Sequence, residues 1–265
     1  MLRSLLFLAA FYVATALFLL CGSWLFFAPR SWAMEGLRLH GLFCTWLLEV
    51  ICGTRMEVRG ADKLKERPCL VVSKHQSAWD TFALIPIFRD PAIVLKEELK
   101  WIPFYGWFCL KFEHILVRRD RAAVALRQLV ADAKQRAAEG REVFIFPEGT
   151  RKAPGADPDY KPGYVALYEG LGLTCYPVAL NSGLFWPRRS LHRYPGTIIV
   201  EILDPIPPGL PRAEFRRRLE AAIEAASDRL LLEAADSPAP PPLGQEARQR
   251  VEVLRSKSEH KKNIS

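Results

Sequence analysis

The sequence predicts an α/β fold: a mixed, mostly parallel sheet flanked by helices and preceded by N-terminal membrane helices. Three observations carry this. Seven short apolar runs rich in Val, Ile, Phe and Leu recur between Met56 and Leu203, each bounded by turn residues, as buried strands are. Helical patterns separate several of them, which favours parallel pairing. The stretch from Ser4 to Pro29 has no charged residue at all. These features divide the 265 residues into a hydrophobic membrane segment (1–30), a second apolar or interfacial helix (31–55), the main domain (56–235) and a Pro-rich, basic tail (236–265).

Taken in order, Leu5 to Ala28 as a helix is roughly 36 Å long at ~1.5 Å per residue, enough for a hydrocarbon core of ~30 Å. A secretory signal has a shorter apolar region and a small-residue cleavage site, which "CGSWLFFAPRSW" lacks. Trp24 and Trp32 suit an interfacial zone. "AMEGLRLHGLFCTWLLEVICG" is interrupted by Glu35, Arg38, His40 and Glu49; an interfacial amphipathic helix and an ordinary core-facing helix both fit it. The strands follow as "MEVRG", "CLVVS", "AIVLK", "HILVR", "VFIFP", "TCYPVAL" and "TIIVEIL". Helices are expected over Trp79–Phe88, Asp120–Gly140, Tyr164–Glu169 and Arg212–Ala235. After Ala235, "DSPAPPPLGQ" and the polar remainder read as mostly disordered.

Net charge is +8, which admits nucleic acid, an anionic membrane surface or phosphorylated substrates as partners. The hydrophobic N-terminus argues against nucleic acid. The six cysteines show no CxxC pair, no metal-ligand spacing and no disulfide framework, so a reducing compartment and no metal site are expected.

Chemistry concentrates at strand ends. In "VVSKHQSAWDTF", His75 and Asp80 stand five apart where a strand gives way to a helix. With His75 in the turn and Asp80 in the first helical turn, the carboxylate can reach back to the imidazole and make it a general base for a hydroxyl. Ser77 and Asp80 also have capping-box spacing, in which Asp80 only completes the helix start. No G-x-S-x-G elbow appears, so base catalysis without an acyl-enzyme is expected. "VFIFPEGTRK" places Glu148, Gly149, Thr150 and Arg151 at another strand end, where open α/β sheets bind ligands. Gly149 allows close backbone approach, and Arg151 offers a fork suited to phosphate; a turn with a surface ion pair is the plainer reading. Arg118 and Arg119 close a third strand, and Lys96 and Lys100 repeat the pattern.

"HQSAWD", "WIPFYGW", "ILVRR", "FPEGTR" and "YPVAL", in that order and spacing, resemble the glycerolipid acyltransferase family, over about Glu57 to Pro207. One departure stands out: Arg118 occupies the position where the second motif usually has Asp, while Arg119 matches its Arg. The resemblance implies transfer of a fatty acyl group to the sn-2 hydroxyl of 1-acyl-sn-glycerol 3-phosphate. His75 would be the base and Asp80 its partner. Arg119, Glu148, Gly149, Thr150 and Arg151 would hold the glycerol phosphate, Pro177 would line the acyl or thioester region, and Gln76 and Ser77 would border the base. It implies no cofactor, only acyl-CoA or acyl-carrier protein as co-substrate. It further implies lysophosphatidic acid and membrane lipid as partners, and membrane localisation (the inner membrane if bacterial) with the catalytic domain facing the cytoplasm. An acyltransferase for another lysolipid, such as a lyso-ornithine lipid, and a membrane-tethered lipid-binding module are the competing readings.

Overall fold

Every strand run but the first has apolar residues on both faces of the pleat, and this dictates a sheet covered on both sides. A computed structural model, which describes residues 1–118 and 122–262, places all seven runs in one sheet. The strands are β1 (Thr54–Arg59), β2 (Leu70–Ser73), β3 (Pro91–Lys96), β4 (Ile115–Val117), β5 (Glu142–Ile145), β6 (Cys175–Leu180) and β7 (Gly196–Ile202). Their spatial order is β1-β7-β6-β2-β5-β3-β4. Every neighbouring pair is parallel except β6 with β7.

The helices in chain order are α1 (Leu2–Cys21), α2 (Arg30–Cys52), α3 (Asp80–Ala83), α4 (Tyr105–Lys111), α5 (Ala122–Ala138), α6 (Gly163–Leu171), α7 (Ser182–Phe185), α8 (Arg212–Ala235) and α9 (Gln245–Lys262). Side-chain alternation sends Val71, Phe144, Val178 and Val200 to one face and Leu70, Val143, Ala179 and Ile199 to the other. The first face packs under α1, α2 and α3, through residues such as Phe7, Cys44, Leu48 and Phe82. The second packs under α5, α6 and α8, through Leu129, Tyr164 and Phe215 among others.

Three expectations change. Segments 1–30 and 31–55 are not separate units: Phe7 is fully buried in the same cluster as the strand residues, and α2 contributes Cys44, Leu48 and Cys52 to it. The outer side of α2 still carries exposed Trp32, Leu39, Phe43, Trp46 and Val50 at helical spacing, opposite its core-facing side. The helix expected over Trp79–Phe88 is cut to α3 and a 3₁₀ turn at Ile85–Ile87, because Pro86 cannot continue an α-helix. The tail expected to be disordered contains α9. Ala247 and Val251 bury its narrow apolar stripe in the first-face core, and Arg250 forks onto Asp228 of α8 at 2.7 and 2.6 Å. The backbone of Gly155, at φ +79°, lies so close that a Cβ there would sit 2.7 Å from the Glu246 carbonyl oxygen.

Candidate active site

β2, β5 and β6 run parallel at the centre of the sheet, so their C-terminal ends deliver the loops beginning at Lys74, Phe146 and Asn181 to one place. His75 and Asp80 meet there. Asp80 is buried, and its Oδ2 accepts from His75 Nδ1 at 2.9 Å, from the Gln76 N–H at 2.8 Å and from the Ser77 N–H at 2.9 Å. Its Oδ1 accepts the Ser182 hydroxyl at 2.5 Å. Both readings of Asp80 therefore describe real contacts. The carboxylate caps the turn through Ser77, as a capping box does, and it holds the imidazole so that Nε2 is left as the basic nitrogen. The imidazole lies flat on the Phe146 ring, centroids 4.1 Å apart.

The rest of the loop is pinned from three sides. The Ser77 hydroxyl donates to the Trp186 carbonyl at 2.9 Å, and Gln76 Oε1 accepts the Gly183 N–H at 3.1 Å. A Cβ on Gly183 would come within 2.9 Å of Gln76 and Pro154, so only glycine permits this approach. The His75 carbonyl accepts the Lys152 N–H at 2.8 Å, which ties the base to the turn after β5.

In that turn Glu148 does not face outward. It is 1% exposed. Its Oε1 lies 3.0 Å from Lys74 Nζ, and its Oε2 accepts the His75 N–H at 3.4 Å. Lys74 is itself buried and reaches Glu224 of α8 at 2.6 Å. Burial pushes the Glu148 carboxyl up and the Lys74 charge pulls it back. Glu148 is thus a pillar between the two loops, held by Lys74 on one oxygen and the His75 N–H on the other. Gly149 adopts φ +61°, which turns the chain and half-exposes Thr150 and Arg151 beside His75. Arg119 lies outside the described residues. Arg118 stands 3.3 Å from Glu97 at the end of β3. Pro177 is buried in mid-β6, by alternation on the second face.

An apolar cavity of about 180 Å³ opens on the first face beside the dyad. Phe146, the ring under His75, is part of its wall, with Phe82, Phe11, Phe18 and Phe108. Two of these belong to α1, so the N-terminal helix builds the cavity. His114, also in the wall, is pushed down to about 3 by burial and is neutral. Sequence reasoning missed Lys74, Ser182, Trp186 and Glu224. The last three lie more than 100 positions from the partners they hold in the loop, a separation no local pattern encodes.

The His75–Asp80 pair stacks on Phe146, and Phe146 in turn lines the apolar cavity, so an ionisable pair and room for an apolar group adjoin one another. Residues 55–181 match the family model described as Acyltransferase. Among curated proteins, the chain is 41% identical over 160 residues to 1-acyl-sn-glycerol-3-phosphate acyltransferase of Pseudomonas aeruginosa, covering 60% of this chain and 62% of that one. It is 30% identical over 158 residues to the human beta form of the enzyme with that name, covering 58% and 57%. The chain thus spans about six-tenths of the length of these relatives. The crystal structure of the 1-acyl-sn-glycerophosphate (LPA) acyltransferase from Thermotoga maritima has the same fold, with a TM-score of 0.73 at 23% identity over 86% of this chain and 96% of that one.

Proposed function

We propose that this protein transfers a fatty acyl group from acyl-CoA or acyl-carrier protein to the sn-2 hydroxyl of 1-acyl-sn-glycerol 3-phosphate, making phosphatidic acid. The observation that carries the reading is the His75–Asp80 pair at 2.9 Å, stacked on a wall residue of an apolar cavity. His75 Nε2 takes the proton of the acceptor hydroxyl as its oxygen attacks the thioester carbonyl. Asp80 stabilises the imidazolium that forms. The tetrahedral intermediate collapses, the C–S bond breaks, and the thiolate takes the proton from the imidazolium, which returns the base to its starting state. The apolar cavity accommodates acyl chain, and Arg151, with Arg119, binds the acceptor phosphate. The names of the relatives support this acceptor.

The protein acts at a membrane in this reading, on the cytoplasmic side. α1 is one helix long and apolar enough to cross a bilayer, with Leu6, Tyr12, Val13 and Leu17 exposed along it. Exposed Trp24, Phe27 and Trp32 at the α1–α2 turn suit the headgroup boundary.

The test is a panel: purified protein, acyl-CoA or acyl-carrier protein, and lysophosphatidic acid, lyso-ornithine lipid and lysophosphatidylcholine as acceptors. Preferred transfer to lysophosphatidic acid is expected. Preference for another acceptor moves the assignment to that lysolipid. No transfer from either donor to any acceptor rejects the enzyme reading and leaves a lipid-binding module.

A further inference from the structure

The turn after β5 carries four cations close in sequence or space: Arg151, Lys152, Lys161 and, from the loop after α7, Arg188. They are not equivalent. Asp159 neutralises both lysines, at 3.3 Å from Lys152 and 2.6 Å from Lys161. Among the described residues neither Arg151 nor Arg188 has a carboxylate partner, although Arg59, Arg67, Arg136, Arg229 and Arg250 all do. The Arg188 side chain is tied to the backbone that carries Arg151: its Nη1 donates to the Arg151 carbonyl at 2.9 Å. Positive charge where these two loops meet is thus left without a carboxylate, which favours an anion there.

The placement is built rather than incidental. α7 opens with Ser182, whose hydroxyl holds Asp80, and Trp186, just after it, accepts the Ser77 hydroxyl. The chain then turns at Arg189, a non-glycine residue at φ +58°. Backbone strain of this kind persists only where the surroundings fix it. Arg151, whose carbonyl Arg188 binds, is followed by Lys152, whose N–H binds the His75 carbonyl. The loop that fixes the dyad on one side and the turn that fixes it on the other thus each supply one arginine.

We propose that Arg188 is a second phosphate-binding residue of the acceptor site, completing with Arg151 a clamp for a phosphomonoester. This rests on the acyl-transfer reading above. One of its five N–H donors is used on the Arg151 carbonyl, and the others are available to phosphate oxygens in the planar fork that arginine presents. A phosphomonoester carries close to two negative charges and a phosphodiester one, so the clamp discriminates between acceptors by charge as well as by shape.

The experiment uses the full chain in detergent micelles and four forms: wild type, Arg188→Ala, Arg188→Lys and Arg189→Ala. Acyl transfer is measured to lysophosphatidic acid and to lysophosphatidylglycerol, a diester. Binding of sn-glycerol 3-phosphate is measured separately by phosphorus NMR titration. Arg188→Ala is expected to raise KM for lysophosphatidic acid by roughly 10-fold with kcat within about 2-fold, and to weaken glycerol-phosphate binding in parallel. The diester KM changes less, Arg188→Lys recovers part of the loss, and Arg189→Ala behaves as wild type. An unchanged KM and an unchanged titration in Arg188→Ala overturn the proposal, as do equal losses on both acceptors or an equal loss in Arg189→Ala. If wild type binds glycerol phosphate through Arg188 but transfers no acyl group, the acyl-transfer reading has failed and the clamp stands.

Discussion

Replacing Asp80 by Asn separates its two roles with almost no change in shape. The amide oxygen takes the place of Oδ2 and keeps the His75, Gln76 and Ser77 donors, now at 2.9, 2.8 and 2.9 Å in the native protein. The amide nitrogen takes the place of Oδ1, and the Ser182 hydroxyl rotates from donor to acceptor. Only the Ser182 hydroxyl proton and one amide hydrogen are left to find new acceptors. Charge-assisted bonds become neutral ones, at a cost of about 1–2 kcal/mol in folding stability, which lowers Tm by ~2–8 °C in a domain of this size. The rate is affected far more. Unit charges ~4 Å apart attract by about 4 kcal/mol at an effective dielectric of ~20, and that attraction exists only once the imidazolium forms. Some water reaches His75, so the loss in kcat is expected at ~10²–10³-fold, with KM for lysophosphatidic acid unchanged within about 2-fold. Release of free thiol from acyl-CoA, followed by a thiol reagent at saturating acceptor, measures it; a thermal melt of the same sample supplies the control. A kcat within about 5-fold of wild type would refute the reasoning and leave Asp80 as a turn organiser alone. Asp80→Ala cannot make this distinction, because it strands four buried donors at ~1–3 kcal/mol each.

His75→Ala is expected to lower kcat by ~10²–10⁴-fold with little change in Tm, measured by the same two assays. Removing residues 1–29 takes Phe7 and Phe11 from the first-face core and part of the cavity wall, so the truncated protein is expected to lose membrane association, activity and several degrees of Tm together; retention of full activity in detergent would contradict this. Arg250→Ala breaks the fork onto Asp228 and is expected to cost about 1–2 kcal/mol, read as a lower urea midpoint; an unchanged midpoint would mean that α9 does not hold in solution.

The strands were legible because each is a short, doubly apolar run between turn residues, and the parallel sheet follows from the helices between them. The dyad was legible because His75 and Asp80 are close in sequence and their spacing spans one turn. What was not legible is contributed from afar. Nothing near Ser182 marks it as the partner of Asp80, and nothing near Lys74 marks Glu224. The depth of Glu148 was not legible because a carboxylate in a polar stretch carries no mark of burial, and its partner Lys74 closes a different strand. α9 was missed because its buried stripe is as narrow as Ala247 and Val251, too thin to register against so many charges.

The two faces of the sheet do different work. On the second face the contacts are those of an ordinary core, such as the stacked rings of Tyr168 and Phe215, centroids 3.6 Å apart. On the first face the core is continuous with the site. Phe7 and Phe11 of α1 meet the Trp186 ring at 5.3 and 5.6 Å, and Phe11 meets Phe82 at 5.4 Å. The Trp186 carbonyl holds Ser77, and Phe82 sits in the short helix that Asp80 opens. From the apolar N-terminal helix to the carboxylate behind His75 there are therefore two short routes, one through Phe82 and one through Trp186 and Ser77. Packed aromatic rings at these separations leave no slack to absorb a shift. The helix that composition marks as an anchor thus also helps to set the position of Asp80, and with it the direction in which His75 presents Nε2.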